Sequence, residues 1–195
     1  MQPQAGPALQ QVLRDLVGRN PRRRKLATAW YLLAIERGRH VPSESELRAL
    51  GPYLGPVLDD PAFPRRPAGR LAALVAWAEI DADLLLGHLR TVEAARRLHR
   101  AIQLSSAAVD LAPDEALPAL ARAATLVAQG RPDDARALLS LAPDALGSRP
   151  VGLAVRAFAE LRAGRPDRAR LVLARAEATR ADVELLRQAR QAADG

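Results

Sequence analysis

Two seven-residue segments fix the register of this chain. Residues 130–136 read G-R-P-D-D-A-R and residues 164–170 read G-R-P-D-R-A-R, identical at six of seven positions and 34 residues apart. A fixed period of this size predicts stacked helical hairpins, each burying its apolar face against the next. Glycine, arginine and paired acids together look at first like chemistry. Their place between two apolar stretches makes them a turn and a helix start instead. Proline suits the first helical turn, where its missing N–H is not needed. Asp133, Asp134 and Asp167 meet the positive end of the helix dipole.

The rest of the chain reads as helices of varied length. Leu9, Val12, Leu13, Leu16 and Val17 share one helix face, and Gly18 stops it. Asn20-Pro21 makes a turn into a second helix over about 23–37, with Leu26, Trp30, Leu33 and Ala34 on its inner face and Tyr31 and Ile35 widening it. The two are expected to pair as an antiparallel hairpin. Ser43 and Glu46 have the spacing of a capping box. Leu47, Leu50, Leu54 and Leu58 then line one side, broken at Gly51-Pro52 into two short pieces. Residues 59–67 hold Pro61, Pro64 and Pro67 without periodicity, and a helix over about 68–79 follows. Residues 82–111 contain no proline and only Gly87, so they form one long helix or two with a hidden break. Pro118 starts the next helix, which runs to about Gln129.

Apolar residues make up 49% of the chain but aromatics only 3%, so Ala and Leu carry the core, as in helices that approach closely. The expected fold class is all-α. No cysteine is present, which excludes disulfides, thiolate metal sites and a cysteine nucleophile. The apolar run at 71–78 is too short to span a bilayer. Residues 1–7 have neither the basic start nor the apolar core of a secretory signal, so a cytoplasmic location is expected.

Counting units of 34 back and forward from the two segments gives 82–115, 116–149 and 150–183. This pattern resembles the tetratricopeptide repeat, in which a glycine-containing turn separates helix A from helix B. The resemblance implies small residues where the helices cross, at Ala123, Ala135, Ala157, Ala169 and Ala176, with Ala101 and Ala108 in the first unit. It implies an α-α superhelical array over 82–195 closed by a capping helix over 182–192, preceded by a basic helical region over 1–60 and by a linker and helix over 61–81. The sequence departs from the family at Arg96-Arg97, where the first turn glycine belongs, and at Arg122 and Arg156, where an apolar residue is usual. It also departs in length. Leu-Ala-Pro-Asp recurs after 30 residues rather than 34, which shortens helix B of the middle unit.

In this family a bound peptide lies along helix A. The resemblance therefore implies a candidate partner groove at Leu117, Leu120, Ala124, Val127, Val151, Ala154, Phe158, Leu161 and Arg162. The alternative is that the groove is filled from within, with Trp30, Tyr31 and Trp77 available to fill it. The net charge is +7, and residues 1–40 alone balance to +6. Arg19, Arg22, Arg23, Arg24 and Lys25 cluster at a helix N-terminus, where positive charge is unfavourable for the helix and suits an anionic partner such as nucleic acid. All the basic residues but Lys25 are arginine. Arginine forks match phosphate, but the bias runs through the whole chain, as in a GC-rich coding sequence. Residues 35–51 are faintly similar to the helix-turn-helix of GntR-type regulators, although Pro52 and Pro56 fall where a recognition helix belongs.

No catalytic constellation, cofactor motif or metal motif stands out. His88 and His99 lie eleven residues apart, too far for one ion, and Ser105-Ser106 has no nearby base. The expected function is a non-enzymatic scaffold that contacts proteins or peptides. The alternative is a nucleic-acid-associated protein that binds through its basic N-terminal region and uses the repeats to dimerise or recruit.

Overall fold

The computed structural model describes residues 11, 12, 14, 15, 20–36, 40–59, 64–141, 150–177 and 184–194. Among these there are helices and no strands. They are α1 (Pro21–Glu36), α2 (Glu44–Leu50), α3 (Gly55–Leu58), α4 (Arg65–Glu79), α5 (Ala82–Leu86), α6 (Val92–Leu111), α7 (Ala116–Ala128), α8 (Pro132–Leu141), α9 (Pro150–Arg162), α10 (Pro166–Glu177) and α11 (Glu184–Asp194). A 3₁₀ turn over Gly51–Tyr53 joins α2 to α3 at the expected Gly51-Pro52 break. The short α3 leaves no recognition helix after α2. The described residues of the first expected helix, 11, 12, 14 and 15, are helical, and its other positions lie outside the described residues.

α8 and α10 begin 34 residues apart, at 132 and 166, each just after one of the two G-R-P-D turns. α4, α7, α9 and α11 pack on one another in succession, and α6, α8 and α10 each lie over a seam between two of them. The small residues at the crossings, Ala101, Ala108, Ala123, Ala135, Ala157, Ala169 and Ala176, are all buried. One apolar cluster joins α7 to α11 through Leu120, Val127, Phe158, Leu173 and Leu186. A second joins α1, α2, α4 and α6 through Tyr31, Leu47, Leu71, Val75 and Leu104.

The first hairpin differs from the sequence expectation. Residues 82–111 do form two helices, but the break falls after Gly87, and α6 runs without interruption through Arg96-Arg97. α5 has only five residues, and α4 is the helix that pairs with α6: Arg70 towards its start meets Glu115 beyond the end of α6, and Glu79 at its end meets Arg97 and Arg100 in the first half of α6. The pair is therefore antiparallel.

Three turns are built alike. Gly87, Gly130 and Gly164 have φ of 83°, 74° and 69°. Each donates its N–H to the carbonyl three residues back, and the next residue donates to the carbonyl five back (His88 to Asp83, Arg131 to Leu126, Arg165 to Glu160). This closing motif satisfies the last carbonyls of a helix and favours glycine, because a Cβ is strained at positive φ. The two G-R-P-D turns announced themselves by repetition. The Gly87 turn was hidden because the helix before it has only five residues.

A glycine-to-alanine series separates backbone strain from packing. Nothing lies within 4 Å of a Cβ placed at Gly164, whereas at Gly87 it would stand 2.3 Å from Nη1 of Arg162. Gly164→Ala is expected to cost about 1–2 kcal/mol and Gly87→Ala more, read by chemical denaturation. In a double-mutant cycle Gly87→Ala should cost less in an Arg162→Ala background than in the parent, close to the cost of Gly164→Ala.

Candidate interaction surfaces

The proposed groove residues are core. Leu120, Ala124, Val127, Ala154 and Phe158 are buried, and Leu117, Val151 and Leu161 are half-buried. Leu85 of α5 belongs to the same cluster, with Trp77, Ile80 and Leu86 packed against it. The end of α4 and the inserted α5 thus fill the inner side of α7 and α9. Of the three aromatics available to do so, only Trp77 takes part. Arg162 does not face a partner: its Nη1 donates to the Leu86 carbonyl at 3.1 Å, and its guanidinium lies against the Gly87 and Gly130 turns.

Two buried carboxylates hold the helix ends. Glu79 is fully buried, and Nε and Nη2 of Arg100 donate to it at 2.9 and 3.2 Å. Arg97 donates to the Glu79 carbonyl at 2.7 Å and pairs with Asp81 at 2.8 Å, and Arg100 reaches on to Glu93 at 3.0 Å. Glu160 is also buried, with Nε of Arg136 at 2.9 Å and Nε of Arg165 at 3.0 Å. Those N–H bonds are poorly aligned with the oxygens, so they act as charge contacts rather than hydrogen bonds. Sequence reasoning missed both carboxylates. The available signal was the echo of Ala76-Trp77-Ala78-Glu79 in Ala157-Phe158-Ala159-Glu160. Neither carboxylate is open to a substrate, and their part is structural.

A cleft of about 300 Å³ lies where α5 turns into α6, lined by Asp81, Asp83, His88, Arg90, Thr91 and Arg97 among others. Its polar groups largely serve the fold. Asp81 and Thr91 accept from the amides of Leu84 and Ala94 as helix caps, and His88 lies 3.4 Å from Asp83.

The N-terminal helix α1 is turned about its axis from expectation, with Tyr31 and Ile35, expected at the edge of the inner face, on the core side. Ala27, Thr28 and Tyr31 face inward, while Leu26 and Trp30, expected inside, are 64% and 62% exposed. A polar clamp accounts for this rotation. The Tyr31 hydroxyl donates to Glu46 at 3.3 Å, His40 Nε2 stands 2.7 Å from the same carboxylate oxygen, and the two rings lie 5.4 Å apart. Ser43 accepts from the Glu46 amide at 3.2 Å, so half of the capping box forms, and the Glu46 side chain serves the clamp. Burial first, and then the Glu46 charge and hydrogen bond, raise the Tyr31 phenol well above its ordinary value.

Of the basic cluster, Arg22 and Arg23 are exposed. Their amides are capped by Asn20 Oδ1 at 3.0 and 3.2 Å. Arg19 lies outside the described residues, and for Arg24 and Lys25 only the helical backbone is described. No helix among the described residues is long and apolar enough to cross a membrane. Among those residues no three of His, Asp and Glu gather as a metal site. Comparison of the chain with protein-family models, with curated proteins and with solved structures returns no match.

Two measurements check these placements. Leu120→Asp and Phe158→Asp each bury a charge in the core, and each should abolish the cooperative thermal transition followed by circular dichroism. Tyr31 gives a signed pH effect. Its unfolded form ionises near 10 while the folded form stays protonated to higher pH, so above pH 10 only the unfolded state releases this proton and stability falls. Tyr31→Phe should cost about 1 kcal/mol at neutral pH and show a weaker loss between pH 9 and 11 in denaturation curves.

Proposed function

We propose that the chain is a tetratricopeptide-type scaffold, without enzymatic activity, that contacts other proteins in the cytoplasm. The observation that carries this reading is the recurrence, after 34 residues, of one turn and helix start: Gly130 and Gly164 share a geometry and lead into helices that begin at 132 and 166. Stacked helix pairs of this kind offer extended surface and no enclosed site. The units in this reading are 116–149 and 150–183, preceded by the α4–α6 pair and closed by α11. With the inner side filled, the surfaces left to a partner are α1 and the outer helices, where Val92, Leu141 and Leu171 are exposed.

A second reading, nucleic-acid association, is favoured by one observation: Arg22 and Arg23 are exposed on the helix that also exposes Trp30. The repeats then act as a dimerisation or recruitment arm.

The scaffold reading is tested by affinity capture with the full chain. Leu141→Glu with Leu171→Glu, and separately Leu26→Glu with Trp30→Glu, are compared with the parent. A stoichiometric protein partner lost in one pair and kept in the other is the expected result. Equal recovery on every folded variant, or no partner at all, overturns it.

A further inference from the structure

Leu26 and Trp30 of α1 point outward because their neighbours Ala27 and Tyr31 are anchored inward. Tyr31 is fully buried and tied to Glu46, and successive helical residues turn by about 100°. Trp30 and Leu26, one turn apart, are therefore held in solvent rather than merely left there. Arg22 and Arg23 stand two turns nearer the helix start, about 10–12 Å along the axis from Trp30.

The charge at that end is unbalanced. α1 has no acidic residue in its first turn. Arg22 and Arg23 have no carboxylate partner among the described residues, although exposed arginines elsewhere do, as in Arg66–Asp114, Arg70–Glu115, Arg131–Asp134 and Arg187–Glu184. Two cations and the positive pole of a helix together weaken the helix itself. A ligand that fits this face is anionic at one end and presents a flat apolar surface at the other.

We propose that this face of α1 binds single-stranded nucleic acid, a base stacking on Trp30 against Leu26 and phosphates lying on Arg22 and Arg23. The proposal rests on the nucleic-acid reading given above. A single strand carries both required features in every nucleotide, and stacking on an aromatic tolerates any base. A duplex keeps its base faces stacked away from Trp30. A membrane helix needs a broad apolar face opposite its cations, whereas here the cations share the narrow face. A second copy of the chain brings another net charge of +7.

The test is fluorescence anisotropy of a labelled oligothymidylate titrated with the full chain at low salt and across a salt series. Binding is expected, with a preference over a duplex of equal length. Trp30→Ala should weaken it about tenfold or more and Trp30→Phe much less. Arg22→Ala with Arg23→Ala should flatten the log–log salt slope by about 1.4, at about 0.7 per phosphate contact on a single strand. Leu26, Trp30, Arg22 and Arg23 are all exposed, so circular dichroism should stay at the parent signal and Tm should not fall, which separates lost binding from lost folding.

Duplex binding that depends on the arginines but not on Trp30 overturns the proposal and leaves the nucleic-acid reading standing. No binding to either form at low salt overturns both. Displacement of the oligonucleotide by polyglutamate at equal charge concentration also overturns the assignment, since the face then reads negative charge alone. So does Trp30-dependent binding to anionic phosphatidylserine vesicles without binding to the oligonucleotide.

Discussion

Arginine forks laid over helix C-termini hold this structure together. The last carbonyls of a helix carry partial negative charge and have no partner within it. Here arginines from elsewhere in the chain supply one: Arg48 to Ala78, Arg97 to Glu79, Arg162 to Leu86, Arg65 to Asp110 and Arg170 to Ala193. The end of α4 concentrates the effect. Glu79 adds a full charge to an already negative terminus, buried, and two arginines of α6 with one of α2 surround it. Breaking such a pair from one side strands a buried charge, at about 3–5 kcal/mol. The chain's near-exclusive use of arginine has a use here, because a planar fork reaches a carboxylate and a carbonyl together, as Arg97 does, where an ammonium offers a single point.

Most of the architecture was legible because it rests on local chemistry. Gly130-Arg131-Pro132-Asp133 and Gly164-Arg165-Pro166-Asp167 contain their own turn, helix start and dipole complement, so repetition placed them within a residue. The Gly87 turn has the same backbone but no flanking proline and a helix too short to show a period. The pairing of α4 with α6 depends on Glu79 meeting Arg97 and Arg100 across some twenty residues of chain, and spacing carries no sign of that. The rotation of α1 was misjudged for a related reason. Periodicity put Leu26 and Trp30 within the inner face and Tyr31 at its edge, while one hydroxyl, one imidazole and one carboxylate brought Tyr31 fully inside and left Leu26 and Trp30 in solvent.

The candidate surfaces divide along the same line. The groove inferred from helix positions consists of side chains that small residues bring into tight contact, and such positions become core as soon as anything lies over them. The basic N-terminal helix was marked by charge, which burial does not remove, and Arg22 and Arg23 stayed in solvent.

The inserted helix α5 changes how the array holds together. In a simple stack each repeat touches only its neighbours, so ends fray and the chain melts in steps. α5 touches α7, α9 and α11, three successive members of the inner layer. It acts as a spline set across the joints, and none of these three helices can leave without disturbing the cluster that holds Leu85. Helices tied together by one shared neighbour are expected to come apart together rather than from the ends inward.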